Sequence, residues 1–226
     1  FQQRLEYVVK NIEKQNARIL DVGCGYGTTS ILLAMLGHKV TGTTLEYYFE
    51  QINNRIKFWG EYFDTSKIEI KYQNIFKSDY KDEEFDYIIA QETMHHIEPI
   101  DEAMKIFRSK LKNSGKMIVS EENGKNIICN LKHFKERGFK RITEIYDEKL
   151  GEKMFFGNEN TRGMSKWEKI FFQNGFFIEK ENTEYIRLFP PYYFRKHGTE
   201  KVIEKEQKLC KKSGILRKYF FFGINL

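Results

Sequence analysis

Proline and cysteine are scarce: three of each in 226 residues. The few prolines and the scattered glycines leave no long linker, low-complexity tract or internal repeat, so one domain is expected over residues 1–226. That length is enough to bury a sizeable core. No apolar run approaches the roughly 18 residues of a membrane span. Nothing at the start of the sequence resembles a secretion signal. Cys24, Cys129 and Cys210 are odd in number and lack C-x-x-C or metal-like spacing. Neither a disulfide framework nor a metal site is therefore expected, and the usage fits a cytoplasmic protein.

What is present is unevenly charged. Residues 1–123 hold 16 Lys/Arg against 19 Asp/Glu, whereas residues 187–226 hold 10 against 3, so most of the net charge of +6 belongs to the C-terminal segment. The basic C-terminal segment reads either as a solvated lysine-rich helix face or as a surface for an anionic partner, such as a phosphorylated or carboxylated metabolite or a lipid headgroup. No added RNA-binding domain is visible, so nucleic acid is not expected.

Apolar runs alternate with amphipathic segments, the pattern of helices covering a parallel sheet. Strands are expected near 18–22, 38–43, 68–73, 85–90, 115–120 and 176–186, with a last one in the final YFFFGINL. Helices fit 2–15, 28–36, 46–60, 98–110 and 164–174. The expectation is an α/β fold: a doubly wound, mostly parallel seven-stranded sheet with its last strand antiparallel. Its core would be 1–123, 161–186 and 215–226. Two insertions, 124–160 and 187–214, follow forward strands and are expected to build a helical lid over the ligand-binding rim.

The strongest motif is LDVGCGYGTTS, from Leu20 to Ser30. A buried strand runs into Gly23, Gly25 and Gly27 and then into a helix. Glycines there permit a tight turn and close approach of a ligand to the backbone. The spacing is G-x-G-x-G after Asp21, not the G-x-G-x-x-G of a pyrophosphate cradle, and an acid beside the turn suits an amine-bearing ligand better than a phosphate.

This motif resembles the first motif of class I S-adenosylmethionine-dependent methyltransferases, and the likeness runs best over residues 17–123. The resemblance implies S-adenosyl-L-methionine as cofactor, with Asp21, Gly23, Cys24, Gly25 and Gly27 around its methionine part. It places Asn74-Ile75 beside the adenine, Gln91 near the amino acid portion, and the second-strand end at the ribose. That end reads Thr44-Leu45-Glu46 where many relatives carry an acid, a minority pattern seen among fatty-acid cyclopropane synthases and some small-molecule methyltransferases. Either the Thr44 hydroxyl or Glu46 can accept from ribose hydroxyls, and Thr44 is the choice here.

Methyl transfer needs an acceptor held in line and, for a hydroxyl, loss of a proton. The loop QETMHHI after strand four supplies Glu92, His95 and His96 as catalytic candidates, with His96 preferred as base. Glu121-Glu122-Asn123 read equally as pocket lining or as an ordinary polar turn, whereas Asn158–Arg162 reads as an ordinary polar loop in preference to a pocket wall. Phe189-Pro190-Pro191-Tyr192 is similar to a base-methylating element but follows the wrong strand, so it reads as a rigid lid piece. The expected activity is methylation of an O or N of a small, anionic metabolite. A lipid-modifying enzyme touching membrane surfaces and a non-catalytic binding protein of the same fold are the alternatives.

Overall fold

A computed structural model describes residues 2–45 and 49–226. A helix α1 (Gln2–Lys10) precedes β1 (Arg18–Val22), α2 (Thr28–Met35), β2 (Lys39–Thr44), α3 (Phe49–Trp59), β3 (Ile68–Tyr72), β4 (Phe85–Gln91), α4 (Ile100–Lys110) and β5 (Leu111–Glu122). The first insertion holds α5 (Ile127–Arg137), β6 (Ile142–Asp147) and β7 (Glu152–Gly157), and is followed by α6 (Met164–Gln173) and β8 (Glu184–Ile186). The chain ends with α7 (Pro191–His197), α8 (Thr199–Lys212), α9 (Gly214–Tyr219) and β9 (Gly223–Asn225).

The main sheet has seven strands in the order β3-β2-β1-β4-β5-β9-β8. The first five pair in parallel, and β9 runs antiparallel to both β5 and β8. Strands covered on both faces need apolar side chains on both, which is why RILDV and FDYIIA are nearly continuous apolar runs. Alternate residues serve opposite layers. Leu20, Ile88 and Ala90 join Met104, Phe107, Trp167 and Phe171 under α4 and α6. Ile19, Tyr87 and Ile89 pack with Tyr7, Val8 and Leu33 of α1 and α2. Strand order reverses between β1 and β4, so the ligand crevice of such a sheet opens beyond their carboxyl ends.

Two expectations are corrected here. The first insertion is not helical throughout: β6 and β7 form an antiparallel hairpin apart from the main sheet. The sixth strand is confined to Glu184–Ile186, because Lys180–Asn182 closes a 3₁₀ turn after Phe176 and Ile178 have packed on the core. Among the described residues no helix is long and apolar enough to cross a membrane. The cations of α7, α8 and α9, from Arg195 to Lys218, are solvent-exposed.

Candidate functional site

At the reversal point, the β1–α2 turn carries positive φ at Gly23 (66°), Gly25 (50°) and Gly27 (69°). A Cβ on Gly23 would lie 2.2 Å from the Thr93 hydroxyl oxygen, so the loop after β4 sits directly on the turn. A Cβ on Gly25 would meet nothing within 4 Å, because that residue faces a cavity of about 290 Å³. Thr44, Leu45, Gln73, Asn74 and Ile75 form one side of this cavity, and Gln91, Glu92 and His96 the other. A larger cavity of about 800 Å³ lies between α1, β8 and α8, away from the glycine turn.

Three buried polar atoms of the cavity wall have no hydrogen-bond partner among the described residues: Gln91 Nε2, Gln73 Oε1 and Glu92 Oε1, the last of which is ion-paired with arginines. Thr29 Oγ1 donates to Gln91 Oε1 at 2.6 Å and thereby fixes which end of that amide is left over. The cavity thus offers one unused donor and one unused acceptor, beside a glycine face that a ligand can approach closely. That donor set fits a zwitterionic nucleoside.

The loop after β4 is organised by Glu121, which is fully buried at the end of β5. Its Oε1 accepts from the backbone N–H groups of Thr93 (2.9 Å) and Met94 (2.6 Å), and its Oε2 accepts from His95 Nδ1 at 2.6 Å. Burial opposes ionisation of Glu121, but His95 and these N–H groups override it and lower its pKa. Burial would likewise lower the His95 pKa, yet the charge and hydrogen bond of Glu121 raise it to about 9. His96 behaves oppositely: burial and the neighbouring His95 lower its pKa. Its Nδ1 donates to the Gly157 carbonyl at 2.8 Å, which leaves Nε2 as the other ring nitrogen. Glu92 is not free, since its Oε1 lies 3.1 Å from Arg4 and 3.4 Å from Arg187.

The β6–β7 hairpin closes the crevice. Met154, Phe155 and Phe156 line the cavity, and the Phe156 ring stacks on His96 at 4.7 Å. Tyr72 Oη donates to Asp147 at 2.7 Å, Asn74 Nδ2 donates to Glu152 at 2.8 Å, and Lys77 pairs with the same Glu152. Gly157 allows β7 to touch the loop after β4: a Cβ there would fall 2.0 Å from the His95 carbonyl oxygen. Just beyond, the Glu159 carboxylate approaches His95 Nε2 at 3.7 Å and His133 Nδ1 at 3.8 Å.

Of the residues expected at the cofactor, the structure gathers Gly23, Gly25, Thr44, Leu45, Asn74, Ile75 and Gln91 around one cavity. Asp21, Cys24 and Gly27 lie behind it. Asp21 is buried under α2, where its carboxylate accepts from Ser30 Oγ at 2.6 Å. The Cys24 side chain turns toward Gly42, at which an added Cβ would lie 3.0 Å from its sulfur. Gly27 starts α2 and faces Ile52. Glu46 lies outside the described residues. The Asn74 side chain, expected at the adenine, is engaged at both ends, because its Oδ1 accepts from Phe76 N at 3.1 Å while Nδ2 holds the hairpin. Missed were Gln73, Thr93, the hairpin aromatics and His133. Gln73 sits next to an identified position, whereas His133 comes from a distant helix and carried no local signal.

A family model described as a methyltransferase domain matches residues 13–175. The chain is 31% identical over 123 residues to the ubiquinone biosynthesis O-methyltransferase of Xanthomonas axonopodis pv. citri, covering 53% of this chain and 49% of that protein. It therefore spans about half the length of that curated relative. Among solved structures, a putative S-adenosylmethionine-dependent methyltransferase from Listeria monocytogenes superposes with a TM-score of 0.60 at 16% identity, over 100% of this chain and 97% of that one. Phosphoethanolamine N-methyltransferase 2 of Haemonchus contortus, solved in complex with S-adenosyl-L-methionine, gives a TM-score of 0.62 at 14% identity, over 100% and 51%. At such identities the structural likenesses show the fold.

Proposed function

The chain belongs to the methyltransferase-domain family as a class I S-adenosylmethionine-dependent methyltransferase, and we propose that it methylates an oxygen or nitrogen of a small molecule held beneath the β6–β7 hairpin. The observation that carries this reading is the single cavity that runs from the glycine turn to His96 and leaves Gln91 Nε2 and Gln73 Oε1 unpartnered in its wall. The cofactor supplies an electrophilic methyl group on a sulfonium. The chain's own residues hold and orient. Gly23 and Gly25 admit the ligand to the backbone, Gln91 donates toward its carboxylate, Thr44 and Gln73 serve the ribose, and Leu45 and Ile75 flank the base. Met154 and Phe156 exclude water from the reacting end, where displacement needs a dry, aligned approach.

His96 lines that end with His95 packed behind it, so the acceptor is placed against His96. Glu92 is assigned to positioning, because two arginines already neutralise it. The match to an O-methyltransferase sequence supports oxygen as the acceptor atom. The charge excess of residues 187–226 carries no weight for an anionic acceptor, since its helical cations face solvent and Arg187 is paired at the rim. Calorimetry with S-adenosylmethionine and its demethylated product tests the cofactor half of the reading. Both should bind the intact protein, and Gly25→Val, which forces a branched side chain into the cavity at a φ of 50°, should abolish both. Absence of binding to the unaltered protein sinks the reading.

A further inference from the structure

We propose that His95, His96 and Glu159, joined by His133, form a binding site for a divalent first-row transition-metal ion at the acceptor end of the cavity. Ligand atoms of His95, His96 and Glu159 lie within 4.8 Å of one another. The set of two or three imidazoles and one carboxylate is that of zinc and iron sites. It lies outside the residues assigned to the cofactor, and only His96 touches both.

The ring nitrogens are pre-oriented as metal sites require, each imidazole being held by its other nitrogen. Glu121 holds His95 through Nδ1 (2.6 Å), the Gly157 carbonyl holds His96 through Nδ1 (2.8 Å), and Glu122 holds His133 through Nε2 (2.8 Å). The remaining nitrogens of His95 and His133 converge on one atom, Glu159 Oε2, at 3.7 and 3.8 Å. Those separations are too long for hydrogen bonds. They are close to the edge of a tetrahedron whose ligands stand at about 2.1 Å from a central ion, roughly 3.4 Å.

A second observation points the same way. The His133 side chain is 3% exposed, and its Nδ1 is buried without a hydrogen-bond partner among the described residues. Leaving such an atom unsatisfied costs about 1–3 kcal/mol. Besides Glu159, the acidic atom near it is Glu136 Oε2, at 3.9 Å. The surroundings favour a cation, with Glu121 and Glu122 behind the imidazoles. Glu159 itself adopts a φ of 50°, a left-handed conformation uncommon outside glycine that turns its carboxylate to this position.

The ion's place beside His96 gives it an oxygen of the acceptor as its further ligand, and this last step rests on the methyltransferase reading above. The test does not. Chelator-stripped protein, without cofactor or acceptor, is titrated with Co²⁺ while visible d–d absorption is recorded, and with Zn²⁺ in competition with a chromophoric chelator. One equivalent should bind. Glu159→Gln and His133→Asn should each weaken binding at least tenfold, while Glu148→Gln, an exposed acid in the hairpin turn, leaves it unchanged. An unchanged circular dichroism spectrum and a cooperative thermal transition show that each variant is folded. Absence of stoichiometric binding by the unaltered protein, or variants that bind as tightly as it does, overturns the proposal. Metal binding without cofactor binding would instead sink the methyltransferase reading and leave the ion site standing.

Discussion

Asp21 shows how much a single side chain in a motif leaves open. Its position before the glycine turn was legible, and the resemblance drew it toward the cofactor. The structure instead seals the carboxyl under α2, where burial raises its pKa to about 6 against the opposing hydrogen bond from Ser30. Strand alternation decides this: residues two apart share a face, and the sequence does not say which face meets the ligand. The consequence is measurable. An acid whose folded pKa lies above its unfolded value of 3.8 stabilises the fold while protonated, and that contribution is lost as the pH rises through about 6. Asp21→Asn keeps an oxygen for Ser30 and removes the titration. In urea unfolding, the variant's stability relative to the unaltered protein should therefore rise by about 2–3 kcal/mol between pH 4 and pH 7.5. A difference that stays flat with pH shows that Asp21 does not titrate in this way.

Among the elements, the parallel strands were legible because their apolar runs are continuous, α4 and α6 because their spacing is amphipathic, and α2 because it follows the glycine turn. The β6–β7 hairpin was not. Its exposure alternates along each strand, as expected of period two, but charged and aromatic residues share both faces and blur the pattern. What fixes it is docking: Tyr72, Asn74 and Lys77 hold its outer end, and Gly157 lets its last residue sit against His95 and His96. Gly157→Ala should therefore separate the hairpin from the loop after β4. An overpacked contact of this kind costs about 1–3 kcal/mol, and here the neighbouring atom is backbone. Thermal unfolding should shift downward, and calorimetry should show cofactor affinity reduced at least tenfold as the aromatic wall moves. Wild-type affinity in a folded variant would mean that the wall is not needed to hold the ligand.

Across the whole molecule, the mostly parallel seven-stranded sheet with its antiparallel last strand followed from the sequence, whereas the joint between core and first insertion did not. Asn158–Arg162 was read as an ordinary polar loop or a pocket wall, and its Asn160–Arg162 part is a buried knot. Glu98, before α4, pairs with Arg162, and its Oε1 also accepts from Asn160 Nδ2 at 2.5 Å. The Glu98 and Arg162 side chains are only 6% and 3% exposed. Arg162 also bridges to Asn123 at the end of β5, and Gly124 N donates to its carbonyl at 3.1 Å. Such pairing is invisible to local pattern because its partners are 64 positions apart. Glu98→Ala would strand the guanidinium in a dry site, and breaking a buried pair on one side typically costs about 3–5 kcal/mol. Urea unfolding should show a loss of that size, and one under 1 kcal/mol would mean that solvent reaches Arg162. Because Glu159 lies between Asn158 and Asn160 on the same strap, loosening the knot should also weaken Co²⁺ binding in variant protein that is still folded. Paired loss of stability and metal affinity, with Glu159 itself intact, is what a core-anchored ion site requires.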